Sequence, residues 1–294
     1  MGPVIIELAS NGETPKARNP NVPHTPEEIA ADAIVCFKAG AATLHNHMGR
    51  IRATGQAAAD LYAPGWRPIL DAFPDAILCP APQQSADLME GLSHIAPCAR
   101  LGARQASLDP GVMNFCDSGE DGLPGPSRGQ FGNSLDDIET TLEVMAKERV
   151  GPALGIYEPG YLRPVLAFRR ARNVGRGAIA RLYFSGEHNF VDGRKGGFGF
   201  GLPPTRAALD AYVELIGDSG LPWMVGVFGG DTVRSGLARY AIERGGHLRI
   251  GLEDFAGDRT PTNLTLVEEA VALCRELGRP PATSREAAAI LDLP

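Results

Sequence analysis

The sequence predicts an α/β fold, a (β/α)8 TIM barrel with a short C-terminal helical extension, as one domain over residues 1–294. Three observations carry that prediction. Short apolar runs alternate with longer helical patterns eight times along the chain, the count of a barrel of roughly 250 residues. The turn after the first run, Ser10-Asn11-Gly12-Glu13, lacks the G-x-G-x-x-G that opens a doubly wound dinucleotide fold. No polar linker or shift of composition marks a domain boundary.

Residues 4–9 form strand one. Thr25-Pro26-Glu27-Glu28 opens the first helix: Thr25 caps it, Pro26 suits the first helical position, Glu28 completes a capping box, and Gly40 ends it. Strand two is 42–47, with a short helix at 64–72. Strand three, 76–80, is followed by a helix at 85–95. Strand four, 104–108, leads into a Gly/Pro/Asp-rich loop, 109–133, and a helix at 135–147. Strand five is 153–157 with a helix near 161–173, and strand six is 179–184. A glycine-rich loop, 186–204, precedes the helix at 205–216. Strands seven and eight, 223–227 and 247–252, carry helices at 232–244 and 263–277, and a last helix spans 284–291.

Composition narrows the function. With 44% hydrophobic residues the chain is not disordered, and 35 acidic against 28 basic residues argues against a phosphate-binding surface. No nucleic-acid or membrane partner is expected: no apolar stretch approaches the roughly 18–20 residues of a span. Cys36, Cys79, Cys98, Cys116 and Cys274 are odd in number and widely spaced. That suits reduced thiols. Met1-Gly2-Pro3-Val4 does not begin a secretory signal, so a cytoplasmic location is expected.

Strand alternation singles out charged positions. Along strand eight Leu248, Ile250 and Leu252 share one face, and His247, Arg249, Gly251 and Glu253 the other. If the apolar set meets the helices, Arg249 and Glu253 point into the barrel or line its mouth. There they must be paired or bound to metal. On strand two His45 and His47 project to one face and Asn46 away from it. In a barrel, strands two and eight flank strand one, so His45, His47 and Glu253 can converge. Two imidazoles and one carboxylate leave coordination positions open, the pattern of a catalytic zinc site. Asp254, beside Glu253, is the leading general base. Glu7 points inward and can pair with Arg249. Glu13, Ser107, Asp109, Glu158 and His188 end strands on the same face or follow them. The run Gly196–Gly201 reads as a loop over the site rather than a phosphate loop. Arg163, Arg169, Arg170, Arg172 and Arg176 read as a solvated helix face, with cosubstrate phosphate contact as the alternative.

The segments at 19–29, 39–47 (Ala-Gly-Ala-Ala-Thr-Leu-His-Asn-His) and 245–254 (Gly-Gly-His-Leu-Arg-Ile-Gly-Leu-Glu-Asp) resemble the beta-keto acid cleavage enzymes, and the similarity runs along nearly the whole chain. The resemblance implies a TIM barrel, a homotetramer and one divalent metal, generally zinc, on His45, His47 and Glu253. It implies catalytic roles for Arg249, Asp254 and Ser107, and places Glu13 near the distal end of the substrate. Glu7 and Glu158 are further substrate-binding candidates. The implied reaction condenses a 3-oxo acid with acetyl-CoA and cleaves the adduct to acetoacetate and a new acyl-CoA. Two family positions depart: a strand-three serine falls near Cys79-Pro80-Ala81, and a strand-five glutamate near Gly155.

Two other readings compete. A metal-dependent hydrolase of the amidohydrolase type also uses a barrel with H-x-H, but on strand one and with histidines after strands five and six. Here strand five ends in Tyr157-Glu158, and only His188 fits. A non-catalytic metal-storing protein would lose metal on ligand substitution and show no turnover.

Overall fold

The computed structural model describes residues 2–48, 52–114, 123, 130–172, 174–189, 193–196 and 201–294. Its elements run β1 (Ile6–Ala9), α1 (Pro26–Ala39), β2 (Thr43–Asn46), α2 (Gly55–Ala72), β3 (Ile77–Pro80), α3 (Leu88–Leu92), α4 (Ile95–Leu101) and β4 (Gln105–Leu108). A hairpin follows, β5 (Val112–Asn114) and β6 (Gln130–Gly132), then α5 (Leu135–Lys147), β7 (Gly151–Ile156), α6 (Leu162–Arg172) and β8 (Ile179–Ser185). The chain ends with α7 (Arg206–Ile216), β9 (Trp223–Phe228), α8 (Leu237–Glu243), β10 (His247–Ile250), α9 (Asn263–Glu276) and α10 (Ser284–Leu291).

Eight parallel strands make one sheet in the order β3-β2-β1-β10-β9-β8-β7-β4. Its two ends meet where the Arg104 N–H donates to the Leu78 carbonyl at 3.1 Å. The result is a nearly closed TIM barrel with helices between the strands. Alternation sets the layers as expected. Ile6, Leu8, Leu44, Leu248, Ile250 and Leu252 join the helix-facing core. Ile5, Ile77, Ala153, Ile179 and Met224 form a separate inner cluster that also holds Ala287, Leu291 and Leu293. The C-terminal extension is therefore part of the barrel's inner packing. Its helix starts from a full Thr283–Glu286 capping box.

Several boundaries moved for physical reasons. α2 begins at Gly55 and contains Pro64 and Pro68. Burial of Ala58, Tyr62, Trp66 and Ile69 on one face outweighs the lost proline N–H bonds. The expected helix at 85–95 is two short ones, α3 and α4. α8 starts at Leu237, not at 232, because the Asp231 side chain takes the Val233 and Arg234 N–H groups in a turn and Gly236 has φ 81. Strand eight stops at Ile250. At Gly251, φ is 155, and a Cβ would fall on the Ala9 carbonyl oxygen. Only glycine lets the chain turn there, so Glu253 is presented from a turn rather than from a strand end. The loop expected at 109–133 contains the β5–β6 hairpin. Residues 197–200 of the glycine-rich run lie outside the described residues.

Candidate active site

The mouth of the barrel, at the C-terminal ends of its strands, opens into a cavity of about 670 Å³. His45, His47, Glu253, Ser107 and Glu13 line it. His45 lies in β2, where it is in register with Ala9 and Cys79. His45 Nε2 lies 3.5 Å from Glu253 Oε2, and His47 Nε2 lies 3.7 Å from Glu253 Oε1. These separations exceed a good hydrogen bond. One donor atom from each side chain falls within 4.8 Å of the others. His45 Nδ1, His47 Nδ1 and Glu253 Oε2 are buried without a hydrogen-bond partner. Such orphans are unfavourable unless something else satisfies them. Burial lowers His45 to about 4, so its imidazole is neutral with a lone pair available. Two nitrogens and a carboxylate, neutral and anionic as a cation requires, fit a divalent metal ion.

Neighbouring side chains hold these three residues in place. The Asn11 side chain clamps the His47 backbone from both sides: its Nδ2 donates to the His47 carbonyl at 3.0 Å, and its Oδ1 accepts the His47 N–H at 2.9 Å. Asn46 points outward, as alternation predicts, and takes Tyr62 Oη–H on its carbonyl and Trp66 Nε1–H on its side chain. α2 thereby anchors the segment, β2 and the residue after it, that carries both histidines. The turn with Glu253 is held by Asn263, which accepts the Leu252 N–H and donates to the Ser10 carbonyl and to Asp32. Thr14 and Arg18 bind the Leu252 carbonyl from the other side.

Beneath the triad lies a buried ion network. Arg249 donates to Glu7 Oε1 at 2.9 Å, to both Asp254 oxygens at 2.8 and 2.9 Å, and pairs with Glu253 Oε1 at 2.8 Å. Its guanidinium stacks over the Tyr183 and Phe228 rings. Arg181 binds Glu7 Oε2 at 2.7 Å, Ser107 Oγ at 3.0 Å and Cys79 Sγ at 3.3 Å. Three carboxylates thus share two guanidiniums, leaving one excess negative charge that a divalent cation reverses. Burial alone would raise Glu7, but Arg181 and Arg249 hold it below the usual carboxylate range. Glu253 is likewise held well down against burial by Arg249 and the imidazoles. Asp254 goes the other way: burial raises it to about 6 despite Arg249.

The expected site residues divide accordingly. The triad, Ser107 and Glu13 reach the cavity wall, while Arg249, Asp254 and Glu7 sit behind it. Glu158 accepts the Gly201 N–H at 2.8 Å and is not among the lining residues. His188 is also outside the lining, so the histidines a hydrolase of the amidohydrolase type needs are not assembled. Among the described residues, Arg163, Arg169 and Arg170 of α6 are not in the cavity lining; Arg169 binds the Ser219 and Gly220 carbonyls. Sequence reasoning missed Arg181 and Asn11. Arg181 carried a readable signal, since it alternates with Ile179 and Tyr183 on strand six. It also missed the part of the cavity wall supplied by Gln83, Asp87, Leu88, His94 and Asn133. At Gly155 a Cβ would fall on Asp109 Oδ1, so the carboxylate of the residue after β4 fills the space where the family resemblance implied a glutamate.

The family model described as beta-keto acid cleavage enzyme matches residues 3–293. A 3-keto-5-aminohexanoate cleavage enzyme of Acetoanaerobium sticklandii is 32% identical over 301 residues, covering 100% of this chain and 99% of its own. A 3-oxoadipate:acetyl-CoA acetyltransferase of Cupriavidus necator is 29% identical over 302 residues, covering 99% and 95%. The solved ternary complex of ObcA with a C4-CoA adduct and oxalate superposes with a TM-score of 0.67 at 17% identity, covering 95% of this chain and 68% of that one, a likeness of fold.

Proposed function

The chain belongs to the beta-keto acid cleavage enzyme family, and on that premise we propose that it exchanges acyl groups between a 3-oxo acid and acetyl-CoA, giving acetoacetate and a new acyl-CoA. The observation that carries this reading is the convergence of His45, His47 and Glu253, with unsatisfied buried donor atoms, at the wall of the cavity. The acetyl-CoA in the name of the Cupriavidus relative supplies the cosubstrate. Those three residues would hold the ion, and the N,N,O donor set suits zinc. When bound, a divalent ion supplies Lewis acidity to the keto acid.

The chain's own residues do the rest. Asp254 accepts the proton from the carbon between the keto group and the carboxylate. Its elevated pKa, about 6, suits a base working near neutrality. It meets the substrate when Arg249 exchanges one of its carboxylate partners for the substrate carboxylate. The deprotonated carbon then bonds to the thioester carbonyl carbon of acetyl-CoA. Ser107, oriented by Arg181, donates to the oxygen that gains charge. The thioester C–S bond breaks, and the freed CoA thiolate adds to carbon three of the original acid. The bond between carbons two and three then breaks, carbon two recovers the proton from Asp254, and acetoacetate and the new acyl-CoA leave. Glu13, on the cavity wall, meets the substrate's far end, and Glu7 keeps both arginines aligned. Glu158 enters only through the Gly201 loop it binds.

Cys36, Cys79, Cys98 and Cys274 are free and buried, which supports the cytoplasm as the working compartment. Among the described residues no helix is long and apolar enough to cross a membrane. The exposed apolar side chains Leu61, Met89, Val112 and Leu135 are available for the contacts of a homotetramer. The decisive experiment incubates metal-loaded protein with acetyl-CoA and a panel of 3-oxo acids and measures acetoacetate. Acetoacetate from at least one acid supports the reading. None from any acid, or hydrolysis that needs no CoA, refutes it.

A further inference from the structure

β3 and β4, the two ends of the sheet, meet at the Arg104–Leu78 backbone bond. Further along the seam the contact passes to side chains. Cys79 Sγ of β3 lies 3.4 Å from Ser107 Oγ of β4. Cys79 is in register with His45, so its thiol faces the barrel interior as that imidazole does, and it is fully buried. Arg181 reaches both groups. One terminal nitrogen donates to Ser107 Oγ at 3.0 Å and the other to Cys79 Sγ at 3.3 Å. Ser107 lines the cavity and Cys79 stands behind it.

The directions of these bonds follow from what each atom can give. A guanidinium only donates, so Arg181 fills one lone pair on the Ser107 oxygen and one on the Cys79 sulfur. Among the described residues, the Ser107 proton has two acceptors, the Pro80 carbonyl and Cys79 Sγ, each at 3.4 Å. Sulfur is the weaker acceptor and is already engaged, so the hydroxyl turns to Pro80. The Cys79 S–H is left to donate. It chooses between Ser107 Oγ at 3.4 Å and the Pro80 carbonyl at 3.8 Å, and the nearer oxygen takes it. Burial raises the thiol above its ordinary value against the pull of Arg181, which keeps that proton on sulfur.

Ser107 Oγ therefore accepts twice and has no lone pair left. It meets a ligand as a donor only. Its hold on Pro80 is loose, longer than the roughly 2.5–3.0 Å of a good O–H···O bond, so an oxygen entering the cavity captures the proton. Donors feeding one another in a chain also strengthen the last of them. We propose that Cys79 is a positioning residue for the acyl exchange: with Arg181 it fills the acceptor side of Ser107, so that Ser107 faces the reacting carbonyl oxygen as a donor. This rests on the reading of Ser107 as the donor to the oxygen that gains charge.

The S–H stretch in the infrared reads this bond without turnover. The band lost in both Cys79→Ala and Cys79→Ser belongs to Cys79. It should lie at the lower frequency of a hydrogen-bonded thiol and move up in Ser107→Ala, which removes the acceptor. A band that does not move would overturn the proposal. Kinetics with metal-loaded protein, acetyl-CoA and a 3-oxo acid give the second readout. Cys79→Ala should lower kcat about 3–10-fold, the effect of one hydrogen bond, with KM for the acid within about twofold of wild type. Cys79→Ser keeps a donor and should recover most of kcat. Cys79→Val fills the space without one and should behave as alanine. In a Ser107→Ala background, Cys79→Ala should change kcat by less than about twofold. Recovery by valine, or a loss that persists without Ser107, would mark packing alone and sink the idea. A band that shifts as expected while no acid yields acetoacetate upholds the hydrogen-bond chain and removes acyl exchange, so the two readings fail separately.

Discussion

Arg181→Met tests the buried ion network most directly. Arg181 and Glu7 are 2% and 0% exposed, and Arg181 gives Glu7 two of its donors. Methionine keeps much of the volume and removes the charge. Glu7 then keeps Arg249 alone, which already serves Glu253 and Asp254. Removing one partner from a buried pair costs about 3–5 kcal/mol. For a chain of 294 residues, that lowers the melting temperature by roughly 5–8 °C. The double variant Arg181→Met/Glu7→Gln restores the charge balance, since one guanidinium then faces two carboxylates. It should recover at least about 1.5 kcal/mol, within the range of coupling seen for contacting residues. Recovery should stay incomplete because Ser107 and Cys79 also lose a donor. The assay is denaturant unfolding followed by circular dichroism on metal-free protein. A loss under about 1 kcal/mol in the single variant, or a double variant no more stable than the single, would refute the reasoning.

Four further outcomes follow from named contacts. Asn11→Ala removes both bonds on the His47 backbone and should weaken zinc binding about 10–100-fold, read by competition with a chelator. Asp254→Asn should abolish acetoacetate formation while bound metal, measured by elemental analysis, is retained; full activity would remove Asp254 as the base. Gly251→Ala forces a Cβ onto the Ala9 carbonyl at φ 155 and should cost about 1–3 kcal/mol or more in unfolding. Burial raises Asp32 to about 6 from 3.8, against the hydrogen bond from Asn263. A raised carboxyl leaves stability intact below 3.8 and loses it as pH climbs through 6. Asp32→Asn should therefore be more stable than wild type toward unfolding at pH 7 by about 1–3 kcal/mol, with the gap closing toward pH 4. A gap that does not change with pH contradicts the assignment.

Periodicity carries across an element, which is why so much of the barrel could be read in advance. Each strand buries one face on helices, so apolar residues at every second position mark both the strand and its orientation. That sufficed to send Arg249 and Glu7 inward and Asn46 outward. The H-x-H spacing placed two imidazoles on one face for the same reason. Where Glu253 sits was inferred correctly from a strand that in fact ends at Ile250, because the turn beginning at Gly251 carries it to the cavity wall.

What depends on residues far apart in the chain could not be read this way. Arg181 is 174 residues from Glu7 and no local pattern joins them. Asn11 and His47, or Asn263 and Ser10, meet only because neighbouring strands end side by side. The position of Asp254 behind the cavity, clamped by Arg249, follows from the turn and not from its adjacency to Glu253. Asp109 is the sharpest case. By itself it is one acidic residue in a loop, and only ring closure sets it over Gly155. The sequence alone determined the layers of the barrel and the convergence of His45, His47 and Glu253, because side-chain direction is a local property of a strand. The tertiary structure decided partners and charge balance, because burial and pairing across the barrel exist only once all eight strands surround one axis.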